Sequence, residues 1–118
     1  MLAKDHVGEV GERIARRWLR AAGMEVLDRN WRCPSGEIDI VARDGDDVVI
    51  VEVKTRTSLR FGHPAEAVGR AKLLRLRRLA AQWLAVHPTR CAGVRIDVIA
   101  ILHPPGGPIR VQHLRGVE

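Results

Sequence analysis

Asp39, Glu52 and Lys54 are the residues whose types and spacing best suit chemistry on a charged substrate. Asp39 lies in one apolar-rich run, Glu52 and Lys54 lie in the next, and the turn sequence Asp44–Asp47 separates the two. At an effective dielectric constant of about 20, two carboxylates roughly 4 Å apart repel by roughly 4 kcal/mol. A hard divalent cation with oxygen ligands would offset that repulsion, and Lys54 would offset part of it without the cation.

A tight β-hairpin is expected to position these side chains, because Asp44–Asp47 has the composition of a hairpin turn. A turn centred between Gly45 and Asp46 places Asp39 opposite Glu52, and a turn centred one residue earlier keeps Glu52 as its diagonal neighbour. A lone Glu-x-Lys sequence more often marks solvated charges on an exposed sheet face, but the acid one turn earlier favours a shared site. The twofold period of a strand predicts one face shared by Glu37, Asp39, Val41 and Arg43.

Glu12 is a third candidate acid, on an amphipathic helix predicted from about Asp5 to Ala22. At about 100° per residue it lies at the edge of the apolar stripe, whereas Glu9 points to the far side with the arginines. Glu12 is therefore able to reach the sheet. A boundary glutamate that extends into solvent fits the helix equally well.

Lys72 is the unusual residue of a second helix, predicted from Pro64 to about Val86. It falls within the apolar arc of that helix rather than among its arginines. An amine in this position is expected to reach toward an anion, and a lysine whose stem crosses the rim of the core is an equal alternative.

The elements that must position these residues predict one α/β domain over residues 1–118. Apolar runs predict strands over Glu25 to Asn30, Glu37 to Arg43, Val48 to Arg56 and Val94 to Leu102, with a short edge strand near Ile109 to His113. The order α-β-β-β-α-β predicts a mixed sheet flanked by helices.

The charge balance indicates a polyanionic partner. Twenty Lys and Arg residues oppose fourteen Asp and Glu, which gives a formal charge of +6 and a sequence pI near 10.6. Nucleic acid is the expected partner, although a basic pI can also serve solubility alone. With three Trp, one Phe and no Tyr, contact with phosphates is favoured over stacking on bases.

Other kinds of site are not indicated by the sequence. Cys33 and Cys91 lack metal-ligand spacing and are typical of a reducing cytoplasm. The five histidines are predicted to lie in loops or near the termini without a catalytic role, and Asp97 is predicted to be a structural partner of Arg95. The first residues lack the pattern of a signal peptide, and no apolar stretch approaches the roughly 20 residues of a membrane span, so a soluble cytoplasmic protein is expected.

Three motifs carry a resemblance to known nucleases: Gly11-Glu12, Gly36-Glu37-Ile38-Asp39 and Val51-Glu52-Val53-Lys54-Thr55-Arg56. Together they resemble the PD-(D/E)xK nuclease superfamily. More narrowly, they resemble the YraN-like family of small bacterial proteins, which is similar in fold to Holliday-junction resolvases. The resemblance covers nearly the whole chain and implies a restriction-endonuclease-like fold, with Ile38 where the superfamily has Pro.

The resemblance also implies roles for the candidate residues. Asp39, Glu52 and the backbone carbonyl of Val53 would hold Mg²⁺ or Mn²⁺. Lys54 would orient or activate the attacking water, and Glu12 would assist directly or through water. The implied reaction is metal-dependent endonucleolytic hydrolysis of DNA, with branched or damaged DNA as a candidate substrate.

Basic residues around the predicted site are expected to contact phosphates. They are Arg16, Arg20, Arg56, Arg60, Lys72 and Arg75. A homodimer is compatible with a resolvase-like domain. The main alternative is a nucleic-acid-binding module that does not cut and acts within a repair or recombination assembly, and a further one is a structural protein whose basic face binds an acidic protein.

Overall fold

The computed structural model describes the backbone of residues 2–58 and 68–118, with side chains from residue 8 onward within those ranges. Its elements, in chain order, are α1 (Leu2–Ala21), β1 (Glu25–Cys33), β2 (Gly36–Asp44), β3 (Asp47–Arg56), α2 (Arg70–Val86), β4 (Gly93–Leu102) and β5 (Arg110–Leu114). Neither of these two described helices has the length and apolar composition needed to cross a lipid bilayer.

The strands form one mixed sheet in the order β1-β2-β3-β4-β5. β1, β2 and β3 form an antiparallel meander, β3 and β4 run parallel, and β5 pairs antiparallel with β4. A parallel pair needs a long connection, and α2 lies between β3 and β4 in the chain. The predicted mixed sheet with flanking helices is confirmed, and the architecture is compatible with a restriction-endonuclease-like fold.

Each face of the sheet packs against one helix. On the α1 face, Ala15 and Leu19 are fully buried against the sheet. On the α2 face, Leu76, Leu79 and Trp83 are buried in a second cluster. Because β3 and β4 are covered on both faces, each contains a continuous apolar run, Val48–Val51 in β3 and Val98–Leu102 in β4, as is usual for buried parallel strands.

Two element boundaries differ from the predictions, and one further strand is confirmed. The helix predicted from Pro64 begins instead at Arg70, because Gly69 is extended (φ −90°, ψ 176°) and glycine is a poor helix former; Pro64 itself lies outside the described residues. β1 continues past Asn30 to Cys33, since these residues pair with β2. The short edge strand near Ile109 to His113 is confirmed as β5, which makes the order α-β-β-β-α-β-β.

The hairpin of β2 and β3 has one of the two predicted registers. Ile40 pairs with Val51 and Asp44 pairs with Asp47, so the turn is centred between Gly45 and Asp46. Gly45 has φ +59°, a conformation that glycine adopts without steric cost. The regular pairing of the two strands ends at Ile40 and Val51.

The alternation of β2 is broken at Asp39. Ile38 packs into the cluster on the α2 face, whereas Ile40, two residues later, packs on the α1 face. The pairing of β1 with β2 skips the same point, and Asn30, on β1, has the left-handed φ of +50°. The prediction that Asp39 simply shares a face with Val41 is therefore wrong, because the strand is irregular at this residue.

Candidate active site

Asp39 is held at the end of the hairpin pairing by the backbone of β3. The Val53 N–H donates a hydrogen bond to Asp39 Oδ2 at 2.8 Å. Burial and the nearby charge of Glu52 raise the pKa of Asp39 to about 7, although the bond from Val53 lowers it. The charges of Glu12 and Glu37 raise this pKa further. The effect of the Glu52 charge on Asp39 indicates that the two predicted acids lie near each other.

Glu52 is almost fully buried, with 6% of its surface exposed, and it contacts two lysines. Lys54 Nζ lies 3.4 Å from Glu52 Oε1, and Lys72 Nζ lies 3.2 Å from the same oxygen. Lys72 contacts Glu52 from the first turn of α2. The anion that this lysine was expected to contact is therefore a carboxylate of the same chain. The two ammonium groups balance a charge that burial would otherwise make costly.

Glu12 approaches the same region from α1. The close packing of Gly11 against Thr55 of β3 leaves no room for a side chain at position 11, and this contact brings the helix down onto the strand that carries Glu52. Burial raises the pKa of Glu12, and the Asn30 amide lowers it by donating to both carboxylate oxygens, at 3.0 and 3.2 Å, when its nitrogen faces them. The predicted approach of Glu12 to the acids, rather than to open solvent, fits this half-buried position.

The donor set of the site suits a hard divalent cation. Asp39 and Glu52 offer carboxylate oxygens, and their repulsion is the condition that a bound cation relieves. Within residues 8–58 and 68–118, no three acidic, histidine or cysteine side chains converge closely enough to hold a metal by themselves. An ion would therefore complete its coordination with a backbone carbonyl, for which Val53 remains the candidate, and with water.

Comparison with known proteins places the chain in a family. The sequence model described as "Uncharacterised protein family UPF0102" matches residues 11–101. A UPF0102 protein of Beutenbergia cavernae is 64% identical over 117 residues, which cover 99% of both chains. UPF0102 proteins of Kineococcus radiotolerans and Frankia alni are 60% and 57% identical and cover 98% of this chain.

The chain belongs to the UPF0102 family. This YraN-like family is the one that the motifs predicted, and the residues matched by the UPF0102 model contain every candidate acid and both site lysines.

The basic residues predicted to contact phosphates occupy several surfaces of this UPF0102 chain. Arg16 and Arg20 line a groove between α1 and β1. Arg56 and Arg75 are exposed on β3 and α2, and Lys72 is bonded to Glu52. Arg60 lies outside the described residues.

Two neighbours of the site were not anticipated. Arg29 and Asn30, both on β1, lie beside Glu12 of α1. They line the same groove as Arg16. Glu9, expected to point away from Glu12, lines this groove as well, although it is exposed. The sequence signal for Asn30 is weak, since asparagine is merely one of the residues that tolerate a left-handed backbone.

A second polar network involves the predicted partners Asp97 and Arg95. Arg95 Nε and Nη2 donate to Asp97 at 2.9 and 3.1 Å, which confirms their pairing. His113, which lies in β5, contacts Asp97 Oδ2 at 2.7 Å. Trp18 Nε1 donates to His113 Nδ1 at 3.2 Å, so the proton of the neutral imidazole lies on Nε2, toward Asp97. This network is fully bonded within the fold and explains how a buried carboxylate is tolerated.

Proposed function

We propose that this UPF0102 protein is a Mg²⁺- or Mn²⁺-dependent endonuclease that hydrolyses DNA phosphodiester bonds, with branched or damaged DNA as its substrate class. The observation that supports this best is the position of Asp39, buried beside Glu52 and bonded to the backbone of Val53. Burial, and then the charge of nearby Glu52, raise the pKa of Asp39 to about 7, and the Val53 N–H holds Asp39 in that unfavourable position. Perturbed acids of this kind cluster at functional sites.

Asp39, Glu52 and the carbonyl of Val53 would hold the ion, and Glu12 would assist directly or through a water molecule. When bound, the ion would neutralise the charge that develops on the phosphate. It would also lower the pKa of the water molecule bound to it. Divalent Mg²⁺ commonly binds one or two protein carboxylates and keeps several waters, which fits this donor set.

Lys54 is the residue proposed to orient the attacking water. Its ammonium lies 3.4 Å from Glu52, and four-fifths of its side chain is buried, since 20% is exposed. A compact, positioned ammonium can hold a water oxygen by a charge-assisted hydrogen bond. Lys72 is proposed to balance Glu52 until the ion arrives.

DNA is the proposed partner, and the cytoplasm is the proposed compartment. The formal charge of +6 favours a polyanion, and the few aromatic residues favour backbone contact. Both cysteines, Cys33 and Cys91, are free thiols, as is usual in a reducing compartment.

A non-catalytic nucleic-acid-binding module is the second candidate, and one observation favours it. Glu52 already has two cationic partners, Lys54 and Lys72, on a single oxygen. A carboxylate compensated in this way does not need a metal ion for stability. In that case the fold would serve to bind DNA within a repair or recombination assembly.

A cleavage panel tests the proposal. Linear, nicked, flapped and four-way DNA, together with a matched RNA duplex, would be incubated with the protein and Mg²⁺ or Mn²⁺. Wild-type protein is expected to cut at least one DNA form, and Asp39→Ala and Lys54→Ala are expected to reduce the rate on the order of 100-fold or more.

The matched control is Asp46→Ala, which removes an exposed acid from the hairpin turn and should leave the rate unchanged. Equal nicking by wild-type and Lys54→Ala proteins would identify a contaminant. Salt-sensitive DNA binding without any cleavage would establish the non-catalytic module instead.

A further inference from the structure

We infer that Arg16 and Arg29 form a phosphate-binding subsite beside Glu12, which holds a nucleic-acid backbone phosphate adjacent to the one that is cleaved. This inference rests on the proposed function and names where the substrate backbone lies. The subsite is a groove of about 450 Å³ between α1 and β1. The residues that line it are Glu9, Glu12, Arg13, Arg16, Arg29 and Asn30.

The backbone aims both arginines at this groove. Arg29 pairs with Ile40, whose side chain packs on the α1 face, and directly paired residues of antiparallel strands share a face. Arg29 therefore faces α1 from the edge strand. Arg16 follows Glu12 by four residues on α1, so the two lie one helical turn apart on the same side.

The two guanidinium groups are close enough to repel each other and lack a full counter-charge. Burial and the positive charge of Arg29 lower the pKa of Arg16, and the charge of Glu12 only partly opposes this. Among the described residues, neither guanidinium makes an ion pair or a hydrogen bond with another side chain. Two arginine forks with free donors match the oxygens of a phosphate.

The lining of the groove favours a phosphate over a base. It contains no aromatic side chain, so it offers no surface on which a base could stack. The groove continues along α1 into a second space of about 290 Å³, lined by Arg16, Arg29 and Arg20 among others. A phosphate beside Glu12 would thus lie at the end of a basic track that runs away from the acids.

Binding measurements without metal test this subsite separately from cleavage. The affinity of labelled duplex and four-way DNA would be measured in EDTA over a range of NaCl concentrations. Arg16→Ala and Arg29→Ala are each expected to weaken binding on the order of tenfold and to reduce the slope of log K against log salt by about 1. Arg29→Lys keeps the charge but loses the fork, and it should fall between wild type and Arg29→Ala.

Arg17→Ala is the matched control, because Arg17 is the next residue of α1, is exposed and does not line the groove. It should change affinity less than about twofold. Equal effects of Arg16→Ala, Arg29→Ala and Arg17→Ala would overturn the subsite. Unfolding midpoints of all variants would show that they remain folded.

The outcomes also separate the subsite from the proposed function. Cleavage that persists while the Arg16 and Arg29 variants bind normally would overturn the subsite alone. A protein that never cuts, but loses affinity in those two variants, would overturn the nuclease proposal and retain the subsite. Wild-type protein that binds none of the DNAs would overturn both.

Discussion

The backbone N–H of Val53 donates to the side chain of Asp39 at 2.8 Å, just beyond the last main-chain pair of β2 and β3. A carboxylate oxygen thus provides the acceptor for a strand amide. Val53 lies between Glu52 and Lys54 in the sequence. The bond therefore fixes the first acid to the same short segment of backbone that carries the second acid and the lysine.

The pKa of Asp39 predicts a pH dependence of stability in the metal-free protein. The folded value of about 7 exceeds the ordinary value of 3.8, so the folded state holds its proton more tightly. The stabilisation is complete below about pH 4 and is lost as pH rises to about 7, by as much as about 4 kcal/mol. Urea unfolding in EDTA at several pH values would measure this loss.

Asp39→Asn supplies the control for that measurement, because it keeps an acceptor for Val53 and removes the charge. Its free energy of unfolding should lack the loss between pH 4 and pH 7. If the variant and the wild type showed the same slope, Asp39 would not be the titrating group.

Asp97 is expected to act in the opposite direction. Burial raises the pKa of Asp97, but bonds from His113, Arg95 and the Gly116 N–H outweigh burial and hold it at about 2. Its stabilisation of about 2 kcal/mol is present above about pH 4 and is lost as pH falls to about 2. Asp97→Asn should lower the free energy of unfolding at pH 7 and flatten its acid dependence, whereas Asp46→Asn in the exposed turn should do neither.

Lys72→Gln should make the folded protein more dependent on metal. Glu52 would keep only Lys54 as a partner, at a cost of about 1 kcal/mol in EDTA. A divalent cation would replace the missing charge, so Mg²⁺ should raise the unfolding midpoint of the variant more than that of the wild type. Arg75→Gln, on the same helix but exposed, should respond to Mg²⁺ like the wild type.

Substitutions of Asn30 should separate backbone strain from side-chain bonding. Asn30 has φ +50°, which glycine adopts freely and alanine does not, so Asn30→Gly should be more stable than Asn30→Ala by about 1 kcal/mol. Both variants lose the amide that donates to Glu12, and both should raise the pKa of Glu12 in an NMR titration. An unchanged Glu12 titration would show that the amide does not support this acid.

The sequence predicted those parts of the site that depend on local chemistry. The turn at Gly45 and Asp46 restricted the hairpin to two registers, and the Glu52 and Lys54 pair followed from the twofold period of β3. The break at Asp39 could not be predicted, because it depends on how Asn30 of another strand fails to pair.

The missed residues share a tertiary origin as well. Arg29 faces the helix only because a bulge between Val26 and Asp28 shifts the pairing of β1 with β2. His113 contacts Asp97 through the pairing of β5 with β4, two strands that a proline-rich loop separates in the sequence. Periodicity within one segment contains no information on such contacts between segments.

The bonds of Asp97 extend the folding unit beyond the region that the family model matches. The region that the UPF0102 model matches ends at residue 101, yet His113 and Gly116, two of the donors that stabilise the Asp97 charge, lie beyond it. A protein trimmed to the matched region would retain every candidate acid and lose these donors from a buried anion. Proteins made for biochemistry should therefore extend through Gly116, since a chain without these donors is expected to be destabilised for reasons unrelated to catalysis.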